Sequence, residues 1–278
     1  PFSFLRKKSS KILRGCLPNP QPSPDAIDLD SLLRSHHAAV LQGEADLLSM
    51  PLLTCRVFTL LREEALTLAG SPLTSHMAQL YVLNHSSLSE AIGLTLASKI
   101  CRGAFTGSSP DEMDRVVSAY GAMMIAILSR PEVQSSILAD LAKAWISDPA
   151  CQGLFQPIFF FKGFQAVTTY RIAHQLWEQG GASNTGAALL LQSRMAELFA
   201  VDIHPAARIG DGIMLDHASG IVIGATAIIG NDCYMLHSTT LGSTGKPMGE
   251  RRRHPKLGNS CTIGAGCTVL GMFCSGPI

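Results

Sequence analysis

The sequence predicts an α-helical N-terminal domain followed by a left-handed parallel β-helix, and three observations carry that prediction. Between Ile203 and Val269 the chain repeats every six residues, as IHPAAR, IGDGIM, LDHASG, IVIGAT, AIIGND, CYMLHS and TTLGST. Upstream, from about Leu29 to Ala200, the signals are helical, with apolar spacing broken by proline and glycine. The last helical stretch then leads directly into the first hexapeptide. A six-residue period is too short for a helical repeat, whereas short apolar strands separated by Gly, Asn and Asp turns suit a solenoid of stacked coils. Three hexapeptides make one triangular turn of roughly 18 residues. This reading places Ile203, Ile209, Leu215, Ile221, Ala227, Cys233 and Thr239 in one phase, regained at Leu257, Ile263 and Val269 after a polar interruption.

Residues 1–28 read as a basic, proline-rich leader and linker. Arg6, Lys7, Lys8, Lys11 and Arg14 precede the first acid, Asp25, and prolines crowd residues 17–27. Each proline removes a backbone donor and biases its predecessor away from helix. Such a basic segment reads either as a transit-peptide remnant, which implies a plastid or mitochondrion, or as a plain basic tail on a cytoplasmic protein.

Residues 29–200 form the helical domain. Its clearest helix opens at Ser109-Pro110-Asp111-Glu112, a capping-box pattern with proline at the first helical position, and Pro131 follows its end. Val116, Val117, Tyr120, Met123, Met124, Ile127 and Leu128 keep helical spacing and read as core. A second helix is expected from near Phe161 to Glu178, stopped by Gly180-Gly181, with Arg171 and His174 off its apolar face. A third is expected from about Thr185 to Phe199. These helices are available to cover the open end of the β-helix, residues 201–278.

Composition narrows the function. The 278 residues are 46% apolar and 15% charged with a net charge of +1, which gives no electrostatic reason for a nucleic-acid or anionic-membrane partner. The most apolar stretch, around Phe159 to Val167, is interrupted by Lys162 and Gly163, so no membrane span is expected. The eight cysteines show no CxxC pair and read as reduced thiols.

Three patches in the repeats are too polar for turn filling alone: residues 201–205, residues 215–220, and the interruption from Gly242 to Lys256. Imidazole is suited to take a proton from a hydroxyl at neutral pH, and a carboxylate can fix its tautomer. Asp202 and His217, 15 residues apart in a coil of about 18, are the candidate pair on neighbouring coils. The competing structural reading has Asp202 and Asp216 satisfying turn amides. The interruption must leave the prism as a loop, and its Lys246, Arg251, Arg252, Arg253, His254 and Lys256 can receive a carboxylate or phosphate.

VDIHPAA, GIMLDHASG, TLGSTGK and RHPK, with SDPAC at 147–151 and FKGFQAVTTYRIAHQLW at 161–177, resemble serine O-acetyltransferase from roughly Leu29 to Gly271. The resemblance implies acetyl transfer from acetyl-CoA, a co-substrate, to the hydroxyl of L-serine in cysteine synthesis, with no tightly bound cofactor and no metal. It implies a homotrimer or dimer of trimers with sites between neighbouring prisms, and O-acetylserine sulfhydrylase as a partner docking a C-terminal isoleucine such as Ile278. It makes His217 the general base and Asp202 its carboxylate partner. Asp148 and Asp216 would hold the serine ammonium, and Arg253 and His254 would receive its carboxylate and hydroxyl. Gly242, Ser243 and Ala265 would form part of the CoA groove.

The chain departs from the family pattern at Ser243, at Ala225 where a glutamate is usual, and in a loop two residues longer before His254. It also stops after MFCSGPI where the family continues, so a C-terminally truncated β-helix with an uncapped edge is expected. One competing reading is a catalytically weak subunit acting as an assembly or regulatory partner. Another is a zinc site through His217, His237 and His254.

Overall fold

The computed structural model describes residues 28–245 and 253–275. The basic leader, Lys246, Arg251, Arg252 and Ile278 lie outside the described residues. The helical domain runs through α1 (Leu29–Gln42), α2 (Met50–Ala69), α3 (Pro72–Ala78), α4 (Leu88–Ala104), α5 (Pro110–Leu128), α6 (Pro131–Ser147), α7 (Phe155–Phe159), α8 (Lys162–Gln179) and α9 (Ala182–Phe199). Ser109 and Glu112 close the expected capping box at the start of α5, each side chain taking the other's backbone N–H. Met124, Ile127 and Leu128 of its stripe are buried in the core. Two expectations need adjustment. Burial on α8 is not confined to one face, for every residue from Gly163 to Ala173 is buried. And α9 starts three residues before Thr185, because Gly180 and Gly181 turn the chain at φ 68° and 81° and Gly181 accepts the Thr185 N–H. Among the described residues no single helix is long and apolar enough to cross a membrane.

Ala200, at φ 55°, turns α9 straight into the first strand. The strands are β1 (Val201–Ile203), β2 (Arg208–Ile209), β3 (Met214–Asp216), β4 (Ile221–Ile223), β5 (Ile228–Ile229), β6 (Tyr234–Leu236), β7 (Thr240–Gly242), β8 (Lys256–Leu257), β9 (Thr262–Ile263), β10 (Thr268–Leu270) and β11 (Cys274–Ser275). Every third strand pairs in parallel. The first face of the prism is β1-β4-β7-β10, the second is β2-β5-β8-β11 and the third is β3-β6-β9.

The register corrects the uniform 18-residue coil. Val201 faces Ile221, 20 residues on; Val222 faces Thr240, 18 on; Ile228 faces Lys256, 28 on. Ile203, Ile209 and Leu215 therefore stack beneath Ile223, Ile229 and Met235, and the hexapeptide phase jumps by two between Leu215 and Ile223. Ile221, Ala227, Cys233 and Thr239 are buried all the same, at 0–1% exposure. In a strand residues two apart share a face, so both phases point into the prism and the hydrophobic pattern cannot reveal the slip.

Helix α8 closes the start of the prism by saturating its free carbonyls. The Tyr170 hydroxyl donates to Ala207 O at 2.6 Å, Arg171 Nη2 to Gly210 O at 2.9 Å, and His174 Nδ1 to Pro205 O at 2.7 Å. Arg171 and His174 thus project off the apolar face, as expected, and onto the rim. Asp140 of α6, fully buried, grips Arg171 with both oxygens at 2.6 and 2.8 Å and accepts the Ile213 N–H at 2.8 Å. Between β5 and β6, Asp232 receives Lys143 of α6 at 2.5 Å and His37 of α1 at 3.0 Å, tying two helices to the second coil. In the last described coil Leu270, Met272 and Phe273 are exposed.

Candidate active site

The register sorts the candidate residues into columns along two edges of the prism. His217, His237 and Ala265 follow β3, β6 and β9 and line the edge between the third and first faces. His204, Gly224 and Gly242 line the edge between the first and second faces.

The third–first edge holds a cavity of about 580 Å³ lined by Asp148, Phe160, Lys162, Asp216, His217 and His237 among others. Asp148 caps the end of α6 in extended backbone and binds the Ala150 N–H at 2.8 Å. His217 and Ala218 both adopt left-handed backbone, at φ 56° and 55°, on the bulge made by the two extra residues of the first coil. Non-glycine residues rarely take this conformation, and the His217 side chain is 75% exposed. Its Nε2 lies 3.7 Å from Asp216 Oδ1, and its ring meets His237 edge-on with centroids 6.2 Å apart. Asp216 Oδ2 accepts the Tyr234 hydroxyl at 2.5 Å.

Helix α8 shapes this cavity from above. A methyl group at Gly163 would overlap the Leu215 carbonyl, so glycine lets the helix approach β3. Lys162, one residue earlier, donates to Ser219 on the bulge. Lys162, Gly163 and Tyr234 were not singled out as site residues from the sequence, and His237 only as a zinc candidate. The FKGF motif carried the first two, while no periodic signal marks Tyr234.

The first–second edge holds the complementary group. His254, 7% exposed, sits over Gly224, where a methyl group would overlap its ring. Its Nδ1 accepts from Thr226, N–H at 3.2 Å and hydroxyl at 2.8 Å, which leaves Nε2 as the donor of the neutral ring. Burial, with Arg253 and His204 nearby, holds this imidazole below the usual histidine range. Arg253 is exposed beside it, its N–H bonded to Thr226 Oγ1 at 3.1 Å. His204 accepts the Ala206 N–H at Nδ1 and lies against Trp177; burial lowers its pKa against the pull of Asp202.

The expected Asp202–His217 pair is not formed within one chain. Asp202 lies on the outer face of β1 and accepts Gln192 Nε2 at 2.7 Å, while His217 stands at the far edge of that face on a coil of 20 residues. The CoA candidates divide likewise. Ser243 and Gly242, with Gly242 packed beneath Leu270, lie at the first–second edge, and exposed Ala265 lies at the other. His254 is separated from His217 and His237 in the same way. Among the described residues no group of three or more His, Cys, Asp or Glu side chains is set to hold a metal ion.

Residues 57–169 match the family described as serine acetyltransferase, N-terminal. Serine acetyltransferase 5 of Arabidopsis thaliana is 43% identical over 190 residues, 68% of this chain and 56% of the relative. The soybean serine acetyltransferase solved with serine is 40% identical, superimposes with a TM-score of 0.69, and aligns over 78% of this chain and 84% of its own. The chain belongs to the serine acetyltransferase family. The family fold, a helical domain followed by a left-handed β-helix, is the one the sequence predicted. A further serine acetyltransferase, solved with CoA, superimposes at TM-score 0.67 with 35% identity over 78% of this chain and 85% of its own. The chain spans little more than half the length of the Arabidopsis relative.

Proposed function

We propose that the chain transfers the acetyl group of acetyl-CoA to the hydroxyl of L-serine, giving O-acetylserine and CoA, at sites assembled between neighbouring copies in a trimer or a pair of trimers. One observation carries this reading: a single prism bears two complementary half-sites on different edges. The third–first edge offers two carboxylates, Asp148 and Asp216, beside an exposed imidazole. The first–second edge offers a guanidinium and a neutral imidazole with Nε2 free to donate. L-serine brings an ammonium, a carboxylate and a hydroxyl, and needs all of these partners at once. A threefold arrangement sets one edge of each prism against the other edge of the next.

In the assembled site the carboxylates take the ammonium, and the planar Arg253 fork takes the carboxylate. His217 removes the hydroxyl proton as the oxygen attacks the thioester carbonyl, and CoA leaves as the thiol. Asp202, carried in from the first face, orients the His217 imidazole. The pantetheine arm follows the groove between Gly242 and Ser243 on one prism and Ala265 on its neighbour. Proteins of this family solved with serine and with CoA support both substrates. O-acetylserine sulfhydrylase is the proposed macromolecular partner.

A steady-state assay with acetyl-CoA and L-serine, reading free thiol, tests the reaction. Serine-dependent release by the folded chain is expected. Binding of both substrates without release would favour the competing assembly-subunit reading and overturn this one.

A further inference from the structure

Tyr234 lies one residue before Met235, which points into the prism and is fully buried. Successive strand residues face opposite sides, so the Tyr234 side chain projects from the outer side of the third face, the side that carries Asp216. Because the first coil is 20 residues long, the residue paired with Asp216 is Leu236, and Tyr234 pairs with Met214. A phenol at this register must lie along the strand direction to reach Asp216. It does so, and its hydroxyl donates to Oδ2 at 2.5 Å. The other oxygen, Oδ1, faces His217 Nε2 at 3.7 Å.

The two oxygens of one carboxylate therefore have separate surroundings. A free aspartate rotates about two torsions and presents either oxygen to a ligand, whereas one fixed at Oδ2 by a stiff aromatic donor presents Oδ1. We propose that Tyr234 is a positioning residue that locks Asp216 so that Oδ1 meets the ammonium group of the amino-acid substrate. The inference rests on the serine acetyltransferase reading, and Tyr234 acts through Asp216 without touching the reacting atoms. Burial, together with the Asp216 and Asp148 charges, pushes the Tyr234 phenol well above the usual tyrosine range. The hydroxyl thus remains a donor to Asp216 and does not compete with His217 as a base.

Tyr234→Phe removes the donor and keeps the ring. Calorimetric titration with L-serine alone, and steady-state kinetics with both substrates, are compared for wild type, Tyr234→Phe, Asp216→Asn and the double variant, each checked by thermal melting. The expected result is serine binding weakened about 10- to 100-fold, the size of one hydrogen bond to a charged group. The acetyl-CoA KM and kcat should stay within about threefold, and Tyr234→Phe should add nothing to Asp216→Asn, as residues acting in one network do. Unchanged serine affinity, equal losses for both substrates, or additive losses in the double variant would overturn the proposal. A wild type that binds serine but turns nothing over overturns the acetyltransferase reading alone, and the affinity comparison still decides Tyr234. A wild type that binds no serine overturns both.

Discussion

His217 combines an uncommon backbone with an unencumbered side chain. Its φ is 56°, and its ring stands 75% exposed. Replacing it removes chemistry without opening a cavity, which separates function from stability more cleanly than at buried His254. His217→Ala is expected to lower kcat about 10²- to 10⁴-fold, the usual range for a general base, with an unchanged melting temperature. Single-turnover kinetics on the folded variant check this, and a full-rate variant would remove His217 from the mechanism. The same residue illustrates what a sequence hides. LDHASG marks the imidazole, but the two extra residues that follow it are invisible in a pattern where both phases are apolar or small.

Helix α8 and the Asp232 clamp decide how the two domains meet. Gly163 is where the helix touches the β3 backbone, so Gly163→Ala must push the Lys162 end of α8 away from Ser219. A cost of about 1–3 kcal/mol is expected from such overpacking, with a larger loss of activity than of stability because this contact lines the cavity. Equal serine turnover per folded molecule would show that the helix position does not matter to the site. At Asp232, burial opposes the charge, but Lys143, Ser260 and His37 outweigh it and hold the carboxyl below the usual aspartate range. A lowered folded pKa means that the clamp contributes fully above the unfolded value of about 3.9 and is lost as pH falls through the folded one. Asp232→Asn should therefore cost about 1–3 kcal/mol at neutral pH, with the difference from wild type shrinking as pH falls below the unfolded value. Denaturant titrations across that range test the sign; a cost that does not change with pH would leave the charge without a role.

At the scale of the whole molecule, the division of the candidate residues between two edges makes a prediction that no single-chain site shares. His217→Ala and Arg253→Ala subunits should each be nearly inactive as pure assemblies, because each lacks one half of every site. Mixed by unfolding and refolding together, they should regain about a quarter of wild-type activity, since a random assembly restores one native pairing in four. No recovery from a mixture shown to have exchanged subunits would place the complete site within one chain. The same geometry accounts for Asp202, whose side chain is bonded to Gln192 among the described residues and reaches His217 in this scheme through assembly.

The sequence by itself determined the class of fold and the family, and it named the residue types of the candidate site. The physical reason is that hexapeptide spacing, the α5 capping box and the Gly180-Gly181 break act over a few residues, where local geometry follows from local composition. It also marked Asp148, Asp216, His217, Arg253 and His254 through short motifs. Only the tertiary structure decided the register: the 20-residue first coil, the resulting column of His217, His237 and Ala265, and the diagonal reach of Tyr234 to Asp216. It alone decided that Asp202 and His217 stand apart and that Arg171 meets Asp140 across 31 residues. These depend on which coil lies above which and which helix seals the rim, and such long-range stacking is fixed by the packing of the whole prism, not by the periodicity of any one segment.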